Sequence, residues 1–223
     1  MNNQNQNWRR KNKLSNLLSY LHPHNASEEV ILRQLHNVWE IGLQSFEIDP
    51  IADNLGLIVE RQKMFGNAPM YSGTYTEIEP ANRARPHLEG MSIARVNLAG
   101  FSAGSSLKQM IKVLFHELQH HIQYRDKLLT NYKTYWRNAT QGKGETEAKP
   151  AMKVYKATFN GKDYGYQAHD LCPWEQQADQ VANAKLSELV DNGSISRDIL
   201  GIQIQEQQIR RRKMKRIEFD PFK

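Results

Sequence analysis

A chain of 223 residues with 39% hydrophobic residues is long enough for one sizeable core with polar extensions. Its composition excludes two classes of protein. No run of apolar residues approaches the roughly 18 that cross a bilayer, so we predict no membrane partner. A single cysteine, Cys172, excludes an internal disulfide and indicates a reducing, cytoplasmic location.

The net charge of +6 arises from the two ends of the chain. The basic side chains are Arg9, Arg10 and Lys11 near the start and Arg210, Arg211, Arg212 and Lys213 near the end. Such clusters are candidate contacts for the phosphates of a nucleic acid or for an acidic partner. A solvated tail and a solvated helix face are the alternative interpretation.

The first 47 residues divide into a tail and a helical segment. Residues 1–13 are predicted to be a disordered basic tail, and residues 14–47 an N-terminal helical segment. A short helix over 14–22 is expected to end before Pro23, because a residue that precedes proline disfavours the helical conformation. The capping pattern Asn25-Ala26-Ser27-Glu28 predicts a second, amphipathic helix that continues to about Phe46.

Residues 48–98 are predicted to form a short helix and a small sheet. Asp49 and Pro50 favour a helix that Gly56 stops, with a strand directly after it. Alternating β-forming residues predict further strands over 71–78 and 91–98. A sheet edge beside the next helix can hold an extended peptide by strand addition, and we nominate the strand over 93–97 for this role.

Residues 107–122 carry the central motif, His116-Glu117-x-x-His120, in a segment with helical apolar periodicity. Ser105 or Ser106 is the expected N-cap. Residues four apart lie on one helix face, so His116 and His120 can offer nitrogens to a single ion. Glu117 would then lie beside the metal, where it can accept a proton from bound water. An accidental match on an ordinary helix is the alternative.

The last third of the chain begins with a polar loop over 137–150, which is interpreted as a lid or an insertion. Asn160-Gly161 predicts a tight hairpin between strands over 152–159 and 162–166. Pro173 and Gly193 delimit a helix over about 173–191. A further helix is predicted over 196–216, with a strongly basic second half, and residues 194–223 are grouped as a basic helix and tail.

A third metal ligand is required, because catalytic zinc sites normally combine three protein ligands with a water. Glu175 is the preferred candidate, since Asp179 follows one turn later and can bind the second nitrogen of His116. Small Ala178 and Ala182 would let this helix approach the first. Competing candidates remain: His121, His169, Glu145 and Glu188. Alternatively, Glu175 binds no metal and only stabilises its helix, because a negative charge is favourable in the first turn.

These motifs, together with an Asp-Pro-Ile-Ala-x-x-Leu-Gly-Leu segment, resemble those of the ImmA/IrrE-like zinc metallopeptidases among the zincins. The resemblance covers roughly residues 48–190 and implies a zincin-like catalytic domain, which we place at 48–193. It implies an α+β fold, with a small mixed sheet packed on the active-site helix and additional helices at both ends. Members are commonly small cytoplasmic proteases of bacteria and mobile elements. This chain shows no evident helix-turn-helix.

The expected activity is zinc-dependent hydrolysis of a peptide bond in a protein substrate. Zinc bound by His116, His120 and Glu175 would activate water, with Glu117 as general base and His169 as the favoured donor to the oxyanion. One rival is a nucleic-acid-associated factor of a mobile element, of the anti-restriction or DNA-repair type, that carries a zincin module. Another is a structural zinc site whose fourth ligand is His169 or Cys172.

Overall fold

The computed structural model of this chain describes residues 26–60, 72–77, 89–101, 105–137 and 152–202. It is a mixed fold of helices and two small sheets, compatible with the predicted α+β class. The predictions for the tail over 1–13, the helix over 14–22, Glu145 and all the basic terminal side chains lie outside the described residues. In the described part, no helix is long and apolar enough to cross a membrane.

The centre of the fold is helix α2 (Leu107–Arg125), which carries the His-Glu-x-x-His motif; the helix before it, α1, is Ala26–Ser45. Ser106 is the N-cap of α2, and its backbone N–H donates to Gln109 Oε1 at 2.8 Å. The apolar stripe of α2 is completely buried, as its periodicity predicts. Its members are Leu107, Met110, Ile111, Leu114, Phe115 and Leu118.

The first sheet packs on α2 and is mixed, as predicted. Its strands are β1 (Leu55–Glu60), β2 (Gly73–Thr76) and β3 (Ser92–Asn97), in the order β1-β3-β2. β3 is parallel to β1 and antiparallel to β2. β3 is therefore the central strand, and our nomination of 93–97 as the peptide-binding edge is wrong. β1 and β2 are the two edge strands in the described part of this sheet, and β2 is the one that lies against α2, through Gly73.

Helix α3 (Pro173–Asp191) lies against α2 and completes the main core with α1. Pro173 is in its first turn, and Gly193, with φ of 79°, follows its end, as predicted. Ala178 and Ala182 are buried in the contact between the two helices. Trp39 and Leu35 of α1 belong to the same hydrophobic cluster as Leu114 of α2, so the first described helix is part of this core.

A second, antiparallel sheet contains β4 (Leu129–Arg137), β5 (Met152–Phe159) and β6 (Lys162–Gln167), in that order. The Asn160-Gly161 hairpin is confirmed, and both residues have the positive φ of the predicted turn, 49° and 74°. Strand β4 was not predicted. The inner face of this sheet forms a second hydrophobic cluster with the start of α3, which includes Trp174.

Two predicted helices differ from the structure. Residues 49–54 form a single turn that ends at Asn54, whose φ of 49° breaks it, and Gly56 lies inside β1. Of the helix predicted over 196–216, the described part contains α4 (Arg197–Leu200) and a turn at Gly201, and residues 203–216 lie outside the described residues. The Ile202 carbonyl accepts the backbone N–H of Leu107 at 2.7 Å, which ties this segment to the start of α2.

Candidate metal centre

Three side chains from α2 and α3 converge on one point. His116 Nε2 and His120 Nε2 lie 2.9 Å apart, and each lies 3.2 Å from Glu175 Oε2. Ligand atoms around a tetrahedral zinc ion at about 2.0–2.1 Å lie roughly 3.3 Å from one another. Among the described residues, this is the group of His, Cys, Asp and Glu side chains that could hold a metal ion.

Both imidazoles are oriented by a contact at their other nitrogen. His116 Nδ1 lies 2.8 Å from Asp179 Oδ1, and a carboxylate can only accept, so this nitrogen donates. His120 Nδ1 lies 2.9 Å from Gln123 Oε1, and the Gln123 amide group donates to the Trp174 carbonyl at 2.9 Å. When it is neutral, each imidazole therefore presents its Nε2 lone pair to the shared point, which is the tautomer a metal ligand needs.

The electrostatics of the three ligands favour a cation at that point. Burial raises the pKa of Glu175, but hydrogen bonds from His116 and His120 outweigh burial and hold this pKa well below its usual value. Burial lowers the pKa of each histidine, and Glu175 outweighs that effect and raises both. A buried carboxylate and two nitrogen lone pairs in contact need a positive charge between them. The donor set therefore fits a divalent metal ion.

Glu117 is buried beside this group and is not part of it. Burial raises the pKa of its carboxyl to about 8, against the opposing charge of His120. Its Oε1 faces β2 at Gly73, where a Cβ would lie only 2.5 Å from that oxygen and would overlap Val113. The absence of a side chain at Gly73 thus allows the edge strand to lie directly against Glu117.

His169 and Cys172, the two predicted candidates for a fourth ligand, both lie directly before the start of α3. His169 Nε2 is 3.2 Å from Glu175 Oε2, but this histidine is outside the group whose ligand atoms lie within 4.8 Å of one another. Its side chain is 53% exposed and lines the cavity. Burial raises the pKa of the Cys172 thiol to about 12, and its Sγ donates to the Ala168 carbonyl. Neither residue closes the site.

The remaining candidates for the third ligand lie elsewhere. His121 points away from the site, as predicted, with Nδ1 3.1 Å from the Tyr75 hydroxyl and Nε2 3.5 Å from Asp53 Oδ2. Burial lowers its pKa, although Asp53 opposes the effect. Glu188 is exposed and pairs with Lys185 at 3.1 Å. Glu175 is therefore the described carboxylate that reaches both histidines.

The site opens into a cavity of about 650 Å³ bounded by both sheets and by α2 and α3. One end is lined by Lys112, Val113 and Asn183. The three candidate metal ligands, His116, His120 and Glu175, which we call the ligand group, line the middle. The other end is lined by Tyr124, in the last turn of α2, and by residues of the second sheet, which are Leu129, Tyr132, Thr134, Lys153 and Tyr155.

Three features of the site were not predicted from the sequence. Gln123 lies three residues after His120, a spacing that places both on one helix face, and this was an available signal. Gly73 and Tyr132 contribute through contacts between elements, and local sequence carries no signal for them.

Comparison of the whole chain with protein-family models, curated proteins and solved structures found no match.

Proposed function

We propose that the chain is a zinc-dependent metallopeptidase with a zincin-like core of the ImmA/IrrE type, which hydrolyses a peptide bond in a protein substrate. The observation that carries this proposal is the convergence of His116 Nε2, His120 Nε2 and Glu175 Oε2 beside the buried Glu117, in an open cavity. Two imidazoles and one carboxylate are the ligands of a known class of catalytic zinc site. The proposed metal is therefore zinc.

Zinc held by these three residues would lower the pKa of a coordinated water and polarise a substrate carbonyl. The protein's part is to keep the ligands in place and leave one side of the ion accessible. Asp179 and Gln123 hold the two imidazoles in the required tautomer. Neither His169 nor Cys172 closes the site, which favours a catalytic rather than a structural metal.

Glu117 is the proposed general base. Its carboxylate can take a proton from the attacking water and deliver it to the leaving amine. Burial raises its pKa to about 8, which would keep the carboxyl largely protonated at neutral pH, and a bound cation would lower this pKa and favour the ionised form that accepts a proton.

A peptide is the proposed substrate because a strand edge borders the cavity. Ser72, Gly73 and Thr74 of the segment that contains β2 line it directly opposite Glu117. Lys112 and Tyr124 mark the two ends of the helix face that lines the cavity, and the twelve residue-to-residue steps between them span roughly 18 Å. An extended peptide of about five residues has this length. Strand addition to β2 would place its backbone across the ligand group.

His169 is the proposed donor to the oxyanion that develops during hydrolysis. Its Nε2 lies 3.2 Å from the Glu175 carboxylate, and its exposed imidazole lines the cavity next to the ligand group. A donor at this position can stabilise negative charge on the former carbonyl oxygen. The imidazole ring is held by an edge-to-face contact with Tyr155, at 5.2 Å between ring centroids.

The test is a comparison of peptide hydrolysis by the wild-type chain and the Glu117→Gln variant, both loaded with zinc. We expect unchanged zinc content and at least about a 100-fold lower turnover of a fluorogenic peptide mixture, because general base catalysis contributes this much or more. Glu188→Gln, which alters an exposed glutamate on α3, is the control and should hydrolyse normally. Equal turnover by Glu117→Gln and the wild type would refute the assignment.

A further inference from the structure

One end of the cavity is walled by four tyrosines from four different elements. We call Tyr75 of β2, Tyr124 of α2, Tyr132 of β4 and Tyr155 of β5 the tyrosine wall; all four line the cavity. Their rings are in continuous contact, with centroid separations of 5.5, 6.4 and 6.1 Å from the first to the last. Such a continuous aromatic surface is typical of a site that binds apolar groups.

The tyrosine wall begins beside the metal ligands. Tyr155 contacts His169, and His169 contacts the Glu175 carboxylate, so one side chain separates the wall from the ligand group. At its other limit, Tyr75 lies on the edge strand that we propose to bind the peptide backbone. If a peptide binds to β2, the side chain of its residue next to the scissile bond would therefore contact these rings.

Tyr132 presents its ring to the cavity in a fixed position. It contacts Tyr124, Tyr155 and Trp174 and yet remains 36% exposed. Three aromatic neighbours restrict its rotation, so little conformational freedom is lost when a ligand covers the exposed part. Strand β4 thus contributes a preformed apolar surface to the site.

One ring of the tyrosine wall already has a cation over its face. Lys153 Nζ lies over the ring of Tyr155, 5.4 Å from its centroid, which is the position a cationic ligand would take. Burial raises the pKa of Tyr124 and of Tyr132, so both phenols stay neutral and offer no negative charge. Leu129, which is buried and lines the same end, adds an aliphatic surface.

We infer that the tyrosine wall is a specificity subsite, which binds a large uncharged side chain, aromatic by preference, of the peptide residue next to the scissile bond. This inference rests on the proposed peptidase function. Aromatic side chains on both partners would stack or pack edge to face and remove apolar area from water. A lysine or arginine at the same peptide position would meet Lys153 and bind poorly.

The first test is cleavage of a randomised peptide library by the zinc-loaded wild-type chain, with the new termini read by mass spectrometry. We expect Phe, Tyr and Leu to be enriched at least tenfold over Ala, Lys and Arg at one position next to the cleaved bond. Tyr132→Ala should abolish the enrichment at that position alone. Tyr135→Ala removes an exposed tyrosine of the same strand that is not part of the cavity lining, and it should retain the preference.

The second test measures binding without hydrolysis, so that a failure of the peptidase proposal can be recognised separately. Fluorescein-labelled alanine pentapeptides, each with Phe at one position, would be titrated against the zinc-loaded Glu117→Gln variant. We expect one position to give at least tenfold tighter binding, and Tyr132→Ala in the same background to lose it.

Each outcome of the two tests has a defined meaning. Cleavage with no side-chain preference, or with a preference for basic residues, overturns the tyrosine subsite and leaves the peptidase function in place. Absence of cleavage by the wild type overturns the peptidase function, and the pentapeptide titration then decides the subsite alone. Equal binding of all the pentapeptides overturns the tyrosine subsite.

Discussion

At the scale of single residues, the two histidines of the candidate metal centre differ in what holds them. His116 donates a hydrogen bond from Nδ1 to the carboxylate of Asp179, whose side chain is 72% exposed. His120 is bound by the amide oxygen of Gln123, which is fully buried. A carboxylate raises the basicity of an imidazole more than an amide does, so His116 should be the stronger ligand and His120 the more rigid one.

Gly73 provides a test of the contact between the edge strand and Glu117. Gly73→Ala would place a Cβ 2.5 Å from Glu117 Oε1, so the carboxylate or the strand must move. We expect peptide hydrolysis to fall by at least about tenfold, since a displacement of this size misplaces the base. Zinc affinity should be unchanged, because the atoms that this Cβ would meet belong to Val113, Glu117 and Arg95 and not to the three candidate ligands.

The matched control is Gly165→Ala in β6, where a Cβ would have nothing within 4 Å. This variant should hydrolyse peptides at the wild-type rate. Normal activity of Gly73→Ala would show that the base does not depend on the approach of β2. The measurement is kcat/KM on one fluorogenic peptide, with zinc content determined in parallel.

At the scale of elements, the site depends on how closely α2 and α3 approach each other. Ala178 is completely buried between them, and Gln123 of α2 bonds to both Trp174 and Gln177 of α3. The small side chain permits the approach, and the amide contacts fix the register of one helix against the other. Together they determine whether Glu175 reaches the two histidines.

Ala178→Leu should separate the two helices. Three additional carbon atoms in a filled contact cost about 1–3 kcal/mol of unfolding free energy, and zinc should bind at least about tenfold more weakly. Ala184→Leu, on the exposed side of the same helix, should change neither quantity. Urea denaturation and zinc titration of both variants provide the comparison. Wild-type zinc affinity in Ala178→Leu would show that helix separation does not control the site.

The elements that were predictable are those whose local pattern is strong. The buried stripe of α2, the Asn160-Gly161 hairpin and the limits of α3 follow from periodicity, positive φ and capping residues. Strand β4 was missed because its alternation is interrupted: its register to β5 shifts between Thr130 and Lys133, and Asn131 has a φ of 53°. A bulge of this kind is specified by the partner strand.

The same distinction applies to the candidate site. The helical spacing of His116 and His120, and of Glu175 and Asp179, allowed their convergence to be predicted from sequence. The approach of Gly73 and the ring contacts of Tyr132 depend on the packing of separate elements. Helical periodicity is local, whereas strand order in a sheet is decided by the whole core. The nomination of β3 as an edge failed for this reason.

At the scale of the whole molecule, the proposed ion would join two helices that come from distant parts of the chain. His116 and His120 belong to α2, and Glu175 belongs to α3, with the entire second sheet between them in sequence. A ligand that binds only the folded state stabilises it in proportion to the logarithm of its free concentration. Zinc should therefore stabilise the fold as well as support hydrolysis.

Chelation should lower the thermal unfolding temperature. At free zinc 100 times above its dissociation constant, the ion contributes about 2.7 kcal/mol, which EDTA would remove. Readdition of zinc should restore the unfolding temperature, and magnesium should not, because it prefers oxygen ligands in octahedral geometry. The measurement is differential scanning fluorimetry across zinc concentrations. An unfolding temperature independent of zinc would argue against an ion between α2 and α3.

The most direct measurement is a calorimetric titration of zinc into the metal-free wild-type chain, Glu175→Ala and Glu188→Ala. We expect one zinc ion per wild-type chain and at least about 100-fold weaker binding by Glu175→Ala, which lacks one of three ligands. Glu188→Ala removes an exposed glutamate from the same helix and should bind as the wild type does. No binding by the wild type, or equal affinity in Glu175→Ala, would contradict the proposed metal centre.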